Sequence, residues 1–160
     1  MSDFLDLGLN HEFIGNETSN DYYTPRFIFD ALNVTFDIDV CAPFGGVPWL
    51  PAKSYFTVLD DGLVQPWNGL VWMNPPYSKT TPWIDKFIQH SNGIGLLFTG
   101  KSEWFNNLWK QADGILLLPP TLKFHRYMGE EMGIYSSSVL IAMGGGNVDI
   151  LKASGLGHVR

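Results

Sequence analysis

The chain has 160 residues, 45% of them hydrophobic, enough for one domain with a substantial core and short for two. Its formal charge of −6 argues against a strong sequence-independent grip on a polyphosphate, because Lys and Arg supply most of such affinity. No apolar run approaches the ~20 residues that span a bilayer, the N-terminus lacks a basic-then-apolar signal, and a lone cysteine excludes an internal disulfide. His11, His90, His125 and His158 are scattered without metal-ligand spacing, so a soluble intracellular protein without a metal is expected.

Residues 1–20 are polar without a sustained period and read as an N-terminal arm. Thr24-Pro25 looks like an N-cap followed by proline in the first turn, predicting a helix to about Asn33 with Phe27, Ile28, Ala31 and Leu32 on one face. Residues 36–41 alternate Phe36, Ile38 and Val40 with Asp37 and Asp39, a strand pattern closed by Pro43-Phe44-Gly45-Gly46. Residues 49–67 are irregular, and only 54–58 suggest a short strand. The continuous apolar run 69–73 fits a strand buried on both faces of a parallel sheet. Thr81-Pro82 repeats the cap-and-proline signal and opens a helix with Trp83, Ile84, Phe87 and Ile88 on one side. A strand at 93–99, a helix from Ser102 carrying Trp104, Phe105, Leu108 and Trp109, and a strand at 114–118 follow. A last strand at 137–143 is closed by Gly144-Gly145-Gly146, and 147–160 reads as a loose tail. The alternation predicts one α/β domain over 21–146 with a largely parallel sheet and right-handed crossovers. Ligands of such sheets bind beyond the carboxyl ends of the strands, where Asp39 and Asn74 both fall.

Asn74-Pro75-Pro76-Tyr77, directly after the run 69–73, carries the chemistry. The lone pair of a nucleobase amine is delocalised into the ring, so the nitrogen is a poor nucleophile until aimed acceptors redirect its electrons. The Asn74 side-chain oxygen and the Pro75 carbonyl can each accept one N–H of such an amine. Two consecutive prolines restrict the backbone and bias Asn74 toward an extended conformation, which holds the acceptors in place before a substrate arrives. Tyr77 offers a ring face for a stacked base. Asn-Pro and Pro-Pro are also ordinary turn formers. This tetrapeptide arises by chance in only on the order of one in a thousand chains of this length, however, so the functional reading takes precedence.

With Tyr22-Tyr23-Thr24-Pro25, Phe36-Asp37-Ile38-Asp39-Val40-Cys41-Ala42, Tyr55-Phe56-Thr57 and Asp61-Gly62-Leu63, the motif resembles the phage-type DNA N6-adenine methyltransferases, S-adenosylmethionine-dependent enzymes with an NPPY motif. The resemblance runs from about Asp21 to Met143. It implies a reduced Rossmann-like methyltransferase fold with an antiparallel last strand, S-adenosylmethionine as cofactor, and DNA with an adenine-containing target site as partner. A cytoplasmic setting in a bacterial or phage-infected cell is implied too, with no membrane association. Tyr23, Thr24 and Pro25 match the segment against the methionine end of the donor. Asp39, with Cys41 and Ala42, matches the strand-end acid of the cofactor site, and Asp61 the position near the donor's adenosine. Asn74, Pro75, Pro76 and Tyr77 match the catalytic motif. Pro25 also serves simply as a helix start, Asp39 as a strand terminus and Asp61-Gly62 as a turn.

The implied mechanism is direct in-line attack of the amine nitrogen on a sulfonium methyl, without a strong base or a covalent intermediate. Cys41 is accordingly a packing residue. An adenine inside a duplex must be extruded to react, with Tyr77 and further candidates Phe124 and Trp104 receiving it. Lys79, Lys123, Phe124, His125 and Arg126 are the candidate DNA contacts, and Lys86 and Lys101 complete an expected basic rim. The interval from Asp39 to Asn74 is too short for two complete crossovers, each needing about a dozen residues plus strands, so at least one helix is expected to be reduced or missing. The loop after residue 41 carries Gly45-Gly46 in place of a repeated G-x-G. Cytosine N4 or a protein glutamine amide would also suit NPPY, and a module that binds without catalysis is the non-enzymatic alternative.

Overall fold

The computed structural model describes residues 23–120, 123–125, 131–133 and 137–160; the arm read at 1–20 lies outside them. In chain order the elements are α1 (Arg26–Leu32), β1 (Ile38–Asp39), β2 (Val71–Met73), α2 (Thr80–His90), β3 (Gly93–Phe98), α3 (Glu103–Gln111), β4 (Gly114–Leu117), β5 (Lys123–His125), β6 (Glu131–Gly133), β7 (Ser138–Met143) and α4 (Gly145–Ser154). Five strands form one sheet in the order β1-β2-β3-β7-β4, and β5 pairs with β6 as a separate antiparallel ribbon. β1, β2 and β3 are parallel, while β7 runs antiparallel between β3 and β4. The last strand is therefore antiparallel, as expected, but is inserted within the sheet rather than added at its edge.

Strand alternation sends side chains to two separate cores. Trp72, Ile94, Leu96, Leu140 and Ala142 point to one face, where Ile28, Phe29 and Leu32 of α1 and Leu151 of α4 cover them. Val71, Met73, Leu97, Val139 and Ile141 point to the other, beneath Trp83, Ile84 and Phe87 of α2 and Leu108 of α3. Gly93 and Gly95 keep β3 open on this second face. A Cβ on Gly93 would lie 2.7 Å from the Phe87 ring and 2.6 Å from Val71, so glycine lets α2 seat close against the sheet.

The segment between β1 and β2 contains no helix, in line with the short interval read from the sequence. Residues 51–56 instead run beside the outer edge of β1, with parallel bridges Phe36 to Ala52 and Asp39 to Tyr55. The Phe36, Asp39 and Ala42 N–H groups donate to Pro51, Ser54 and Phe56 carbonyls. The chain thus leaves β1 on one side and returns as β2 on the other, creating a topological switch point at the carboxyl end of β1.

Several local expectations change. α2 begins at Thr80 with Lys79 in the cap position, so Thr81 lies inside the helix and does not cap it, and residues 54–58 form no strand, only an isolated bridge at Tyr55. Phe27 is 48% exposed, and Phe29 takes its place in the core because the buried stripe of α1 is 28, 29 and 32. α1 begins at Arg26 with Pro25 in the cap position, and Thr24 does not cap it through its side chain. The 147–160 tail is an ordered part of the domain. Gly145 and Gly146 open α4, the Asn147 amide donates to Met143 O at 2.7 Å and Asn92 Oδ1 at 2.9 Å, and Val159 bridges Leu116 on the far edge of the sheet. The glycine run masked the helix because glycine is a poor helix former.

Leu151 is fully buried against α1 and the sheet. Leu151→Ala is expected to cost about 2 to 5 kcal/mol, read as a lowered midpoint in denaturant unfolding. An unchanged midpoint would show that α4 does not dock.

Candidate active site

β1 and β2 pair directly, Ile38 with Val71 and Asp39 with Trp72, and the Val40 N–H donates to Trp72 O at 3.0 Å. Continuing that register brings Cys41 level with Asn74, while Asp39 stands opposite Trp72, two residues before the corner. Asp39 is only 3% exposed, and its Oδ1 accepts the Cys41 N–H at 3.2 Å. Among the described residues no ion pair involves it. Burial pushes its pKa from 3.8 up to about 7, against the smaller opposing effect of the Cys41 hydrogen bond. Burial and the neighbouring Asp39 carboxylate raise the Cys41 thiol as well, which keeps it protonated. It packs against the α2 and α3 core.

Asn74 is half-buried and Pro75 is buried at the start of the loop between β2 and α2. Tyr77 folds back over this corner. Its hydroxyl lies 3.3 Å from Asn74 Oδ1 and 3.4 Å from Leu96 O, two acceptors competing for one proton. Burial, then the proximity of Cys41, holds the phenol far above its ordinary range, so it is a neutral donor. The Tyr77 ring stacks on Phe98 with centroids 4.2 Å apart and planes at 22°, so Phe98 covers one of its faces. Phe98 ends β3, which read from sequence as a plain buried strand, and only the direct pairing of β2 with β3 reveals its place here.

Tyr23 and Thr24 are buried beside Trp49, whose indole N–H donates to Thr24 O at 2.7 Å and whose ring meets Tyr23 edge-on at 5.8 Å. Trp49 lies in the stretch without a readable period, so no local signal marked it. Ala42 is buried and hydrogen-bonded to Phe56. Asp61 is exposed in a left-handed conformation, φ 56°, and its carboxylate accepts the Leu63 N–H at 3.2 Å. The adjoining Gly62 presses on β1, where a Cβ would fall 2.1 Å from Val40 O.

The basic rim is only partly assembled among the described residues. Lys79 and Lys101 are exposed, on the loops after β2 and β3. Lys86 does not join them, because its ammonium is bound by loop carbonyls. Lys123, Phe124 and His125 form β5, and Arg126 lies outside the described residues. Trp104 packs toward the α2 and α3 core and meets Phe105 edge-on at 5.8 Å, as aromatic residues at helical spacing commonly do. No helix of the described residues is long and apolar enough to cross a membrane.

A mostly parallel sheet with its polar loops gathered at a switch point puts the chain in the Rossmann-like α/β class. The chain belongs to the DNA N-6-adenine-methyltransferase (Dam) family, whose model matches residues 14–133. It is 28% identical over 106 residues to the DNA N-6-adenine-methyltransferase of Haemophilus phage HP1 (strain HP1c1). That alignment covers 59% of this chain and 60% of the relative, so the chain spans about 60% of the length of the curated relative it matches.

The Asp39 environment makes a pH prediction. A folded pKa of about 7 against an ordinary 3.8 means the neutral acid is the favoured folded form. Its stabilising contribution is fully present below the unfolded pKa and is lost as pH rises through the folded one. Asp39→Asn, which removes the cost of burying the charge, is expected to raise Tm relative to the parent near pH 8 and to leave it almost unchanged near pH 4. Thermal unfolding across that range checks this; a pH-independent offset would show that the carboxyl is not desolvated.

Proposed function

We propose that the protein transfers a methyl group from S-adenosylmethionine to the exocyclic N6 amine of adenine in DNA. The observation that carries this reading is the corner after β2: a half-buried Asn74, a buried Pro75 and a Tyr77 hydroxyl on the amide oxygen. Family membership and the name of the phage relative support the same chemistry.

The buried Asp39 supports a donor site at the end of β1. Asp39 is a buried carboxyl that accepts the Cys41 N–H, and a cationic ligand would supply the counter-charge that favours its ionised form. Tyr23, Thr24, Pro25, Ala42 and Asp61 complete the proposed donor contacts, with Cys41 as packing. S-adenosylmethionine supplies an electrophilic methyl on a sulfonium when bound. Asn74 Oδ1 and the Pro75 carbonyl each accept one N6 hydrogen, which frees the nitrogen lone pair for attack. An amide oxygen has two lone pairs, so Asn74 can accept from the substrate and from Tyr77 together, and the Tyr77 hydrogen bond fixes which end of the amide faces the base. Pro75 and Pro76 hold both acceptors in place.

The Tyr77 ring, which packs on Phe98, is the proposed surface for stacking an extruded base. Lys79 and the β5 residues Lys123, Phe124 and His125, with Arg126, are the proposed contacts to the DNA strand. After attack the methylated nitrogen is strongly acidic, and its proton leaves through Asn74 or to water without a dedicated base.

Incubation with isotopically labelled S-adenosylmethionine and DNA, RNA or protein tests the reading, with digestion and mass detection of the product. N6-methyladenine in DNA is expected. Label appearing only on cytosine N4 or on a glutamine amide would overturn the substrate, and absent transfer together with absent S-adenosylhomocysteine binding would favour a binding module. Asn74→Ala is expected to lower kcat by about a hundredfold or more while donor affinity changes little, because the lost acceptor acts chiefly in the transition state. Retained turnover would remove Asn74 from the mechanism.

A further inference from the structure

Lys86 lies on α2, and its ammonium is turned inward onto a single loop. It donates to Gly62 O at 3.1 Å, to Leu63 O at 2.8 Å and to Gln65 O, and stands 5.0 Å from the centroid of the Trp67 ring. An ammonium has three donors, so all three are engaged by one turn of backbone. Desolvation lowers the Lys86 pKa and the charge of nearby Asp61 opposes that shift, as expected for a cation seated beside this acid.

The same turn is fastened from other directions. The Trp67 indole N–H donates to Gly62 O at 2.8 Å, and the Trp67 ring stacks on Trp83 of α2 with centroids 6.3 Å apart. Gly62 is wedged between Val40 O and the Trp83 ring, leaving no room for a Cβ. Asp61, held in the left-handed region at φ 56°, is thereby carried next to the carboxyl end of β1. No helix spans the interval between β1 and β2, so this turn has no helix of its own to stiffen it.

We propose that Lys86 is a positioning residue for the methyl donor: it locks the 61–65 turn, and with it Asp61, against the end of β1, touching neither donor nor DNA itself. The inference rests on the proposed function, since it assigns the turn to the donor side of that site. Hydrogen bonds to a charged group are among the stronger ones, and removing the ammonium breaks three at once, leaving Gly62 O with the Trp67 indole alone.

Lys86→Met keeps the aliphatic stem beside Trp67 and removes the charge. The KM for S-adenosylmethionine and the dissociation constant for S-adenosylhomocysteine are expected to rise about tenfold, with kcat changed less than about threefold. Amide hydrogen exchange is expected to accelerate across the 61–65 turn and to stay slow in β2 and β3. Asp61→Asn alone should weaken donor binding, and combined with Lys86→Met it should add little further, because both changes act on one turn. If the parent protein fails to bind S-adenosylhomocysteine, the functional reading itself is lost. If the parent binds it and Lys86→Met binds equally well, or the two losses are additive, the positioning role is overturned. Should Lys86→Met not fold, the exposed Asp61→Asn change decides alone: undiminished donor affinity would overturn the proposal.

Discussion

The Asp37 carboxylate accepts the Leu70 N–H at 2.7 Å through one oxygen and Lys53 Nζ at 2.9 Å through the other. It therefore ties the start of β2 and the outer lane 51–56 to one point on β1. Those same contacts hold its pKa below the ordinary carboxylate value, the Lys53 hydrogen bond contributing most. Gly69, at φ 74°, is the approach that makes the tie possible, since a Cβ there would lie 2.1 Å from the carboxylate. A one-residue slip of β2 would exchange its two faces, placing Trp72 where Val71 and Met73 now pack. Register is thus what delivers Asn74 to the level of Cys41, and the geometry of the proposed site follows from it.

Burial raises the pKa of the acidic groups at this end of the sheet. The Tyr77 phenol and the Cys41 thiol are both held protonated by burial, and Asp39 sits near the midpoint of its titration at neutral pH. Hydrogen bonds between such poorly solvated groups are stronger than the same bonds in water. An aimed amide oxygen and a proline carbonyl therefore suffice for the proposed activation of an amine, with no strong base.

The economy of the fold lies between β1 and β2. An extended lane with two parallel bridges replaces a helix on the outer edge of β1, and a lysine, an indole pair and a glycine wedge fasten the loop that follows. These devices fix irregular backbone by side-chain donors rather than by a helical ladder. At the opposite edge, Arg160 exchanges backbone hydrogen bonds with Ile115, so β4 is also flanked by an irregular lane.

The sequence by itself determined the main strands and the two central helices, and the stiffness of the Asn74–Tyr77 corner. Apolar runs at 69–73, 93–99 and 137–143, and the helical stripes of Trp83, Ile84 and Phe87, are local periodicities that burial enforces, and Asn74-Pro75-Pro76-Tyr77 is rigid because its own prolines make it so. What passed unread depends on partners distant in the chain. Phe98 meets Tyr77 only because β3 lies beside β2, and Trp49 meets Thr24 across an aperiodic loop. Phe27 and Phe29 exchange places according to which side of α1 the sheet occupies. Lys86 looked like one of several cations around a mouth, and it is an internal clamp because three carbonyls converge on it in space. Helix α4 was hidden by its opening glycines, whose low helical propensity is outweighed by burial of Leu151 and the Asn147 hydrogen bonds. Tertiary packing decides such cases because the energies that settle them belong to pairs of residues, which a reading along one chain does not bring together.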